Sequence, residues 1–206
     1  NKVNNLGYKN LYTGRSNIYS TKLGLFIYDS NNLVRLNNNS KVAISAIKPF
    51  SKVKKNQILI TAKVIPYGIE ETLLKKNHLK LKNCFKVAPF KKKKVVLIHT
   101  FDKKTDEKII VKSSSVTKYR LETCGINEFK EIVTPHETID LSSKIQLCIK
   151  QKVDIILIIG PHAITHMKDI IPNAISMSGA KLIRFGIPVE PGNLLLLSKF
   201  KTPKKE

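Results

Sequence analysis

Side chains that can do chemistry are concentrated in three short segments of this sequence, Thr100–Glu107, Thr134–Glu137 and Gly160–Asp169. Together they contain histidine, acidic and threonine residues, whose imidazole, carboxylate and hydroxyl groups can transfer protons or bind ions. Each segment directly follows a stretch with the composition of a β-strand. The segments are therefore candidates for a small-ligand site, provided that the fold brings them to one place.

The histidines of the last segment have a spacing that could suit a metal. His162 and His166 are four residues apart and Asp169 follows three residues later, so a helix would present all three on one face. No HExxH motif accompanies them, and we favour a pair of loop-lining histidines and predict no metal site. The sequence also lacks GxxxxGKS, GxxxxGKT, GxGxxG and GxSxG motifs, which argues against a Walker loop, a Rossmann loop and an α/β-hydrolase nucleophile.

Acidic residues follow the first strand-like stretch. Asp102, Asp106 and Glu107 stand where a general base or a Mg²⁺ ligand would be useful. Lysines on both sides of these residues favour a solvated loop instead. The hydroxyls of Ser113–Ser115 could contact a phosphate, although the first turn of a helix, partly exposed to solvent, is the reading that we favour.

Strand and helix patterns alternate from about residue 94 onwards. Thr134 is predicted to cap the second helix and Asp169 the third, while Gly125 ends the first. The order β-α-β-α-β-α-β-β predicts an α/β domain with an open, mostly parallel sheet and helices on both faces. In such sheets ligands bind beyond the carboxyl ends of the strands, where the three polar segments lie. The predicted strands are Val95–His99, Phe129–Val133, Val153–Ile159, Lys181–Phe185 and Asn193–Ser198.

The preceding part of the chain is predicted to be a small α+β unit. Lys22–Asp29 and Gln57–Pro66 are typical of strands, and Asn31–Asn39 of a turn or a short helix. Gly68–Leu81 has a helical pattern. A basic stretch, Lys80–Lys94, separates the two parts, and we place the domains at residues 1–85 and 86–206.

The charge of the chain is strongly positive, with 37 Lys and Arg against 15 Asp and Glu and a formal net charge of +22. The excess is mostly Lys and is spread along the chain, and there is no Trp to stack on bases. We therefore favour a solvated basic surface and do not expect nucleic acid as the partner. Nonspecific nucleic-acid binding stays open as an alternative.

Hydropathy and cysteine usage bear on location. No apolar run approaches the roughly 18–20 residues that cross a bilayer, so no membrane partner is expected. Cys84, Cys124 and Cys148 are widely spaced and form no CxxC pair, which favours the reducing cytoplasm over a disulfide framework. Because residue 1 is Asn rather than Met, we expect the chain to be a piece of a longer one.

Several short motifs carry a resemblance to a known family. The main ones are Gly160 after an apolar strand, Asp169-x-Ile171-Pro172-x-Ala174, and Phe185-Gly186-x-Pro188-Val189-x-Pro191-Gly192-Asn193-Leu194, with Thr13-Gly14-Arg15-x-Asn17, Ala62-Lys63-Val64-Ile65-Pro66-Tyr67 and Ala88-Pro89-Phe90 upstream. With these motifs the chain resembles the molybdopterin-binding domain of molybdenum-cofactor biosynthesis proteins. It is most similar to the α-proteobacterial molybdopterin-binding protein that is often fused to a nucleotidyltransferase-like domain.

The resemblance implies a molybdenum-cofactor biosynthesis protein that binds molybdopterin or a related phosphorylated pterin or nucleotide-like ligand. Asp169 would cap the following helix so that its backbone N–H groups face the anion. If the protein is a transferase, Asp106 and Asp169 are the implied catalytic carboxylates and Mg²⁺ the implied ion. A homo-oligomer and a nucleotidyltransferase, as a partner or a fused domain, are also implied. The implied ligand-binding residues are Gly160, Pro161, His162, Ala163, Thr165, Lys112, Ser113, Pro191, Gly192 and Asn193.

Two positions depart from the pattern of the family. A Gly-Gly-x-Gly-type turn usually follows the central strand, whereas this chain has Gly160-Pro161-His162-Ala163. An Asp-Lys-Thr triplet corresponds here to Val111-Lys112-Ser113, which lacks the carboxylate. A second hypothesis is therefore a degenerate, non-catalytic scaffold domain of a former fusion enzyme, and the sequence leaves open whether the chain is an enzyme.

Overall fold

A computed structural model gives the fold of residues 4–11, 14–38, 41–68, 84–190 and 193–200. These residues form a mixed α/β structure with four helices and twelve strands. The chain divides into two compact units, Asn1–Lys91 and Lys92–Glu206. In the part of the chain that the structure describes, no helix is both long enough and apolar enough to span a membrane.

The first unit is built mainly from antiparallel strands. Its described elements are β1 (Leu6–Leu11), β2 (Arg15–Ser20), β3 (Gly24–Tyr28), α1 (Ser30–Asn37), β4 (Val42–Ala46), β5 (Lys52–Val53), β6 (Ile58–Val64) and β7 (Phe85–Pro89). One sheet has the order β1-β2-β6-β4 and the other the order β5-β3-β7. All neighbours in both sheets run antiparallel. The alternation of apolar and polar residues along these strands gives each sheet one face for a core.

Aromatic side chains dominate the core of the first unit. Phe26 is fully buried, and its ring stacks on that of Phe85 with 6.1 Å between the centroids. Ile44 and Ile60 from the larger sheet belong to the same cluster, so the two sheets share one core. Helix α1 begins after Asp29, whose carboxylate accepts the backbone N–H of Asn31. The short helix predicted in this region is thus observed.

The second unit contains the alternating strands and helices. Its elements are β8 (Val95–Phe101), α2 (Glu107–Glu122), β9 (Lys130–Pro135), α3 (Thr138–Lys150), β10 (Ile155–Ile159), α4 (Ile170–Met177), β11 (Lys181–Glu190) and β12 (Asn193–Lys199). Strands β9, β8 and β10 form a parallel sheet in that order, with β8 in the middle. The predicted order of elements is therefore confirmed.

The central strand β8 explains how the helices pack. Its residues from Val95 to Thr100 are buried, as expected for a strand with a neighbour on each side. Val96 and Ile98 share a core with the apolar faces of α3 and α4. On α2, Ser114 donates a hydrogen bond of 2.6 Å to Glu131, which is the register partner of Leu97. Because Leu97 alternates with Val96 and Ile98, α2 lies on the opposite face of the sheet.

The prediction of a mostly parallel sheet is confirmed only in part. The parallel sheet has three strands, and β11 and β12 pair with each other antiparallel, from Lys181 with Lys199 to Glu190 with Asn193. Only residues 191 and 192 separate these two strands in the chain. A connection of this length suits a hairpin, because a parallel crossover needs about a dozen residues or more. Across the described residues the sheets are thus small and mostly antiparallel.

The predicted cap of α3 at Thr134 is wrong. Thr134 lies inside β9, and α3 begins four residues later with Glu137 at its N-cap position and no side-chain capping bond. Pairing with β8 extends the strand, since Phe101 is opposite Pro135 and the N–H of His136 donates to the carbonyl of Phe101 at 2.7 Å. The ladder hydrogen bonds replace the predicted capping box. As a result, His136 stands at the carboxyl end of a strand.

The region between the units also differs in detail from its sequence pattern. Residues Phe85–Pro89 pair with β3 over five positions, and the compact units divide between Lys91 and Lys92. The predicted boundary, between residues 85 and 86, falls within β7. The helix predicted for Gly68–Leu81 lies outside the described residues, apart from residue 68 itself.

Candidate functional site

The strand order reverses at the carboxyl ends of β8 and β10, and we call the space between the loops that follow these two strands the crevice. From β8 the chain moves to β9 on one side and then crosses to β10 on the other, so the winding direction reverses between β8 and β10. Open parallel sheets bind ligands at such a reversal, because the loops from the two strands diverge there. The structure brings the starts of all three predicted polar segments to this edge of the sheet.

A carboxylate and an imidazole meet across the crevice. Oδ2 of Asp102, just after β8, lies 2.9 Å from Nε2 of His162, just after β10. The side chain of His162 is 63% exposed and that of Asp102 is 29% exposed. The pair is therefore accessible to a ligand from solvent while it ties the two loops together.

The loop around Asp102 keeps this carboxylate ionised. The hydroxyl of Thr105 donates to Oδ1 at 2.7 Å, and the backbone N–H of Lys104 donates to the same oxygen at 3.0 Å. These bonds, the one from Thr105 above all, lower the pKa of Asp102 to about 2, and His162 acts in the same direction. Asp102 is thus a fixed negative charge that can orient the imidazole of His162.

A second polar pair lies beside the first. Oγ1 of Thr100 is 2.8 Å from Nδ1 of His136, and Thr100 is buried. The rings of His136 and His162 meet edge to face with 6.0 Å between their centroids. Burial lowers the pKa of His136, and the proximity of His162 lowers it further. The crevice therefore contains a neutral imidazole next to one that is paired with a carboxylate.

Gly160 allows neighbouring side chains to pack closely against the turn after β10. A Cβ at this position would lie 2.8 Å from Cδ1 of the buried Ile171, and 3.4 Å from both Cε1 of His136 and Oγ1 of Thr100. Any side chain here would press on the core and on the Thr100–His136 pair. The one glycine that this turn retains is therefore at the position where the packing requires it.

Asp169 occupies the predicted N-cap position of α4, but its carboxylate makes no capping bond to that helix. Its Oδ2 instead accepts the backbone N–H groups of Thr165 and His166, each at 2.8 Å. These two bonds lower the pKa of Asp169. The carboxylate therefore holds the loop that precedes the helix and does not cap the helix itself.

Other predicted site residues serve local structure. Asp106 caps α2 by accepting the N–H of Lys108 at 2.9 Å. The hydroxyl of Ser113 donates to two helix carbonyls, those of Ile109 and Ile110. Lys112 is exposed on the same helix. Within the described residues, no hydrogen bond or ion pair joins Asp106, Lys112 or Ser113 to the Asp102–His162 pair.

The remaining predicted residues fall into two groups. Pro161 is half-buried and Ala163 exposed, on either side of His162, and Thr165 lies at the far end of the same loop. Asn193 begins β12, in the separate hairpin. Pro191 and Gly192 lie outside the described residues.

Sequence reasoning named the right segments but not all the residues that meet. Thr100 and His136 are not among the predicted site residues, and the prediction names Asp106 rather than Asp102 as the catalytic carboxylate of its segment. The available signal was register: the residues that end neighbouring parallel strands share an edge, so Thr100 and Thr134 are partners and His136 extends that ladder. Asp102 directly follows the last residue of β8, whereas Asp106 lies five residues beyond it, so Asp102 is the one expected at this edge.

The comparisons with known proteins are negative. No protein-family model matches the chain, and no curated protein is significantly similar to it. The resemblance to molybdopterin-binding domains thus depends on the motifs quoted above. Among the described residues, no group of three or more His, Cys, Asp or Glu side chains is placed to hold a metal ion.

The arrangement is suited to anion binding and to proton transfer. With Nε2 of His162 directed to Asp102, the second ring nitrogen of that histidine faces away from the carboxylate. A carboxylate-oriented imidazole can donate a charge-assisted hydrogen bond to a phosphate oxygen, or act as a general base. Nδ1 of His136 is engaged by Thr100, which leaves its Nε2 as the atom for a second ligand contact.

Proposed function

We propose that the second unit binds a small phosphorylated ligand, of pterin or nucleotide type, in the crevice between the ends of β8 and β10. The observation that carries this proposal is the Asp102–His162 pair, which lies at the reversal of the strand order and is open to solvent. Phosphate-binding sites use positively charged or N–H donors held by a rigid scaffold. The two parallel strands supply that scaffold.

In this proposal the histidines replace the glycine-rich turn as phosphate contacts. His162 donates to the phosphate from the ring nitrogen that does not contact Asp102, and Asp102 holds the ring in place. His136 and Thr100 lie beside it, packed against the turn at Gly160. Neither Asp106 nor Asp169 enters this arrangement.

Molybdopterin is the first ligand to test, because the motifs of the chain resemble those of molybdopterin-binding domains. That resemblance also supports a place in molybdenum-cofactor biosynthesis, in the cytoplasm, and an association with a nucleotidyltransferase. The same resemblance is the basis on which we propose a homo-oligomer. Cys124 and Cys148 are free thiols, as a reducing compartment would keep them.

The test is a calorimetric titration of the full chain with molybdopterin and, separately, with a guanine nucleotide. We expect a micromolar dissociation constant for at least one of them. His162→Ala should weaken it about tenfold or more, because a charge-assisted hydrogen bond contributes about 1.5–3 kcal/mol. His166→Ala is the matched control, since His166 is an exposed histidine of the same loop whose Nδ1 accepts the N–H of Lys168.

Two results would contradict the proposal. Absence of heat with both ligands at micromolar protein would show that the crevice does not bind this class of compound. Equal affinity losses in His162→Ala and His166→Ala would show that binding depends on the loop as a whole and not on the Asp102–His162 pair.

A second candidate is the degenerate scaffold, which two observations favour. Asp169 occupies the loop N–H groups that an anion would use, and the hydroxyl of Ser113 is bound within its own helix. A vestigial pocket should not respond when the family residues are restored. The double variant Val111→Asp and Pro161→Gly therefore separates the two candidates: unchanged ligand affinity supports the scaffold, and tighter binding argues against it.

A further inference from the structure

The larger sheet of the first unit exposes one of its faces. Register and alternation place Ile18, Ile44 and Ile60 on the face that packs into the core. The residues between them therefore lie on the other face, which is free of the core. We call this set the basic sheet face, and its members are Lys9, Arg15, Asn17, Tyr19, Thr61 and Lys63.

Cations are neighbours on the basic sheet face. Arg15 is the direct register partner of Lys63, and both are exposed. Lys9 is the partner of Asn17, one row away. Like charges opposite each other on antiparallel strands destabilise a sheet. A sheet that keeps such a pair is a candidate for binding an anion that offsets the repulsion.

The first unit offers almost no negative charge to these cations. Residues 1–91 contain 17 Lys and Arg but three acidic residues, Asp29, Glu70 and Glu71. Asp29 is used as the cap of α1. Among the described residues, no carboxylate forms an ion pair with any cation of the basic sheet face. The excess of Lys and Arg over acidic residues is also greater here than in the second unit, although the first unit is shorter.

An aromatic ring and hydrogen-bonding groups lie between the cations. The ring of Tyr19 lies across the backbone of its register partner Gly7, where a Cβ would collide with it. Oγ1 of Thr61 donates to Oδ1 of Asn17 at 3.0 Å, which leaves the amide NH₂ of Asn17 directed away from that bond. Cations, a flat ring and amide donors in adjacent rows can contact phosphates, bases and base edges, respectively.

We propose that the basic sheet face binds single-stranded nucleic acid. An open sheet face with cations and a ring suits a splayed strand, because bases can stack on the ring while phosphates meet the cations. A membrane surface would favour apolar anchors between the cations. Here the row next to Arg15 and Lys63 consists of the polar residues Lys9, Asn17 and Thr61, and Leu11, the register partner of Arg15, is an apolar neighbour at the edge. The site is in the first unit and is independent of the crevice in the second.

The test is fluorescence anisotropy of a labelled oligouridylate with the full chain, over a range of salt concentrations. The variant is Arg15→Glu with Lys63→Glu, and the control is Lys48→Glu with Lys86→Glu, which changes the net charge equally at exposed sites outside this face. We expect the variant to bind at least about tenfold more weakly than the control. Its salt slope should also fall by about 1.4, which corresponds to two lost phosphate contacts on a single strand.

A second variant tests the ring. Tyr19→Leu should weaken oligouridylate binding about fivefold or more, because base stacking on an aromatic side chain is lost, and leave the salt slope unchanged. Circular dichroism of each variant identifies any loss of folding, and for a variant that unfolds, Arg15→Gln with Lys63→Gln replaces the charge reversal.

Three results would overturn the proposal. Equal weakening by the variant and the control would show a diffuse charge effect without a defined face. Tighter binding to a duplex of the same length, or to vesicles with anionic lipid, would assign the face to a different partner. No binding of oligouridylate at low salt would remove it altogether.

Discussion

The two units arrange their charged side chains in opposite ways. In the second unit, two carboxylates have basic partners: Asp102 pairs with His162, and Lys93 pairs with Asp154 at 2.8 Å. In the first unit, Arg15 and Lys63 are neighbours on an open sheet with no carboxylate beside them. A compact site with balanced charge suits a small ligand, whereas a row of unmatched cations suits an extended anion. The net charge of the whole chain hides this contrast.

Strand direction underlies the difference. Parallel strands place their carboxyl ends at one edge, so residues far apart in sequence converge there, as Asp102 and His162 do. Antiparallel strands with one buried face spread their polar residues over the other face in regular rows. Parallel strands therefore form a localised site at one edge, whereas antiparallel strands form an extended polar surface.

Deletion of a core side chain should have the largest effect and tests whether the two units are separate in stability. Leu141 is fully buried between α3 and the sheet, so Leu141→Ala should lower the free energy of unfolding of the second unit by about 2–5 kcal/mol. Hydrogen exchange should show faster exchange at β8 amides and unchanged exchange at β2 amides. Equal acceleration in both strands would show that the units unfold together.

Substitution of glycine by alanine should lower stability more at the closely packed Gly160 than at an open position of the first unit. Gly160→Ala should destabilise the second unit by about 1–3 kcal/mol, because the new Cβ presses on Ile171, which is buried. Gly68→Ala in the first unit meets no atom within 4 Å and should change stability by less than about 0.5 kcal/mol. Urea denaturation measures both. Similar losses would mean that the crevice relaxes around the added methyl group.

Removal of aspartates tests what each carboxylate does. Asp169→Ala leaves the N–H groups of Thr165 and His166 without their acceptor and should lower stability by more than the loss of a single cap, because two hydrogen bonds are removed. Asp29→Ala removes the cap of α1 in the first unit and should cost about 1 kcal/mol. Thermal unfolding of both variants gives the comparison. A smaller loss for Asp169→Ala than for Asp29→Ala would show that solvent replaces Asp169 as the acceptor.

Mild acid should destabilise the second unit by a smaller amount. Burial lowers the pKa of both His99 and His136, so below about pH 6.5 the unfolded chain binds protons that the folded unit does not. The free energy of unfolding should therefore decrease as the pH falls below that value, and level off once the folded histidines titrate. Glu131, 4.0 Å from His99, reduces this effect but does not reverse it.

The matched variant is His99→Gln, which removes one titrating group from a side chain that is only 2% exposed. The decrease in stability between pH 7 and pH 5, measured by urea denaturation, should become shallower in this variant. No histidine lies among the described residues of the first unit, so amide protection in β2 should not follow this pH dependence. An unchanged slope in His99→Gln would contradict the role given to His99.

Helix faces and strand order were predictable because they are local properties. The spacing of Leu141, Ile145 and Cys148 in the sequence is that of one helix face, and all three are buried on α3. The pairing of β11 with β12 was not anticipated, although only two residues separate the two strands. Alternation and apolar content are the same for a parallel edge strand and for a hairpin strand. The length of the connection is the stronger signal, because two residues can join antiparallel strands but cannot form a parallel crossover.

Within the candidate site, composition pointed to the polar segments and tertiary pairing selected their members. The sequence predicts Asp169 as a helix cap, and the family resemblance implies a catalytic role for both Asp169 and Asp106. In the structure, Asp106 is a cap, and Asp169 binds loop amides upstream of its helix. A carboxylate can choose between several N–H groups within reach, and the path of the loop decides among them.

The sequence by itself determined that Gly160–Asp169 and two other polar segments follow strands, because strand and loop patterns are set by neighbouring residues. Only the tertiary structure decided that Asp102 meets His162 and that Thr100 meets His136, because those contacts join segments 60 and 36 residues apart. The same holds for the basic sheet face, since Arg15 and Lys63 become neighbours through the register of two strands. Local propensity specifies elements, and pairing between them specifies sites.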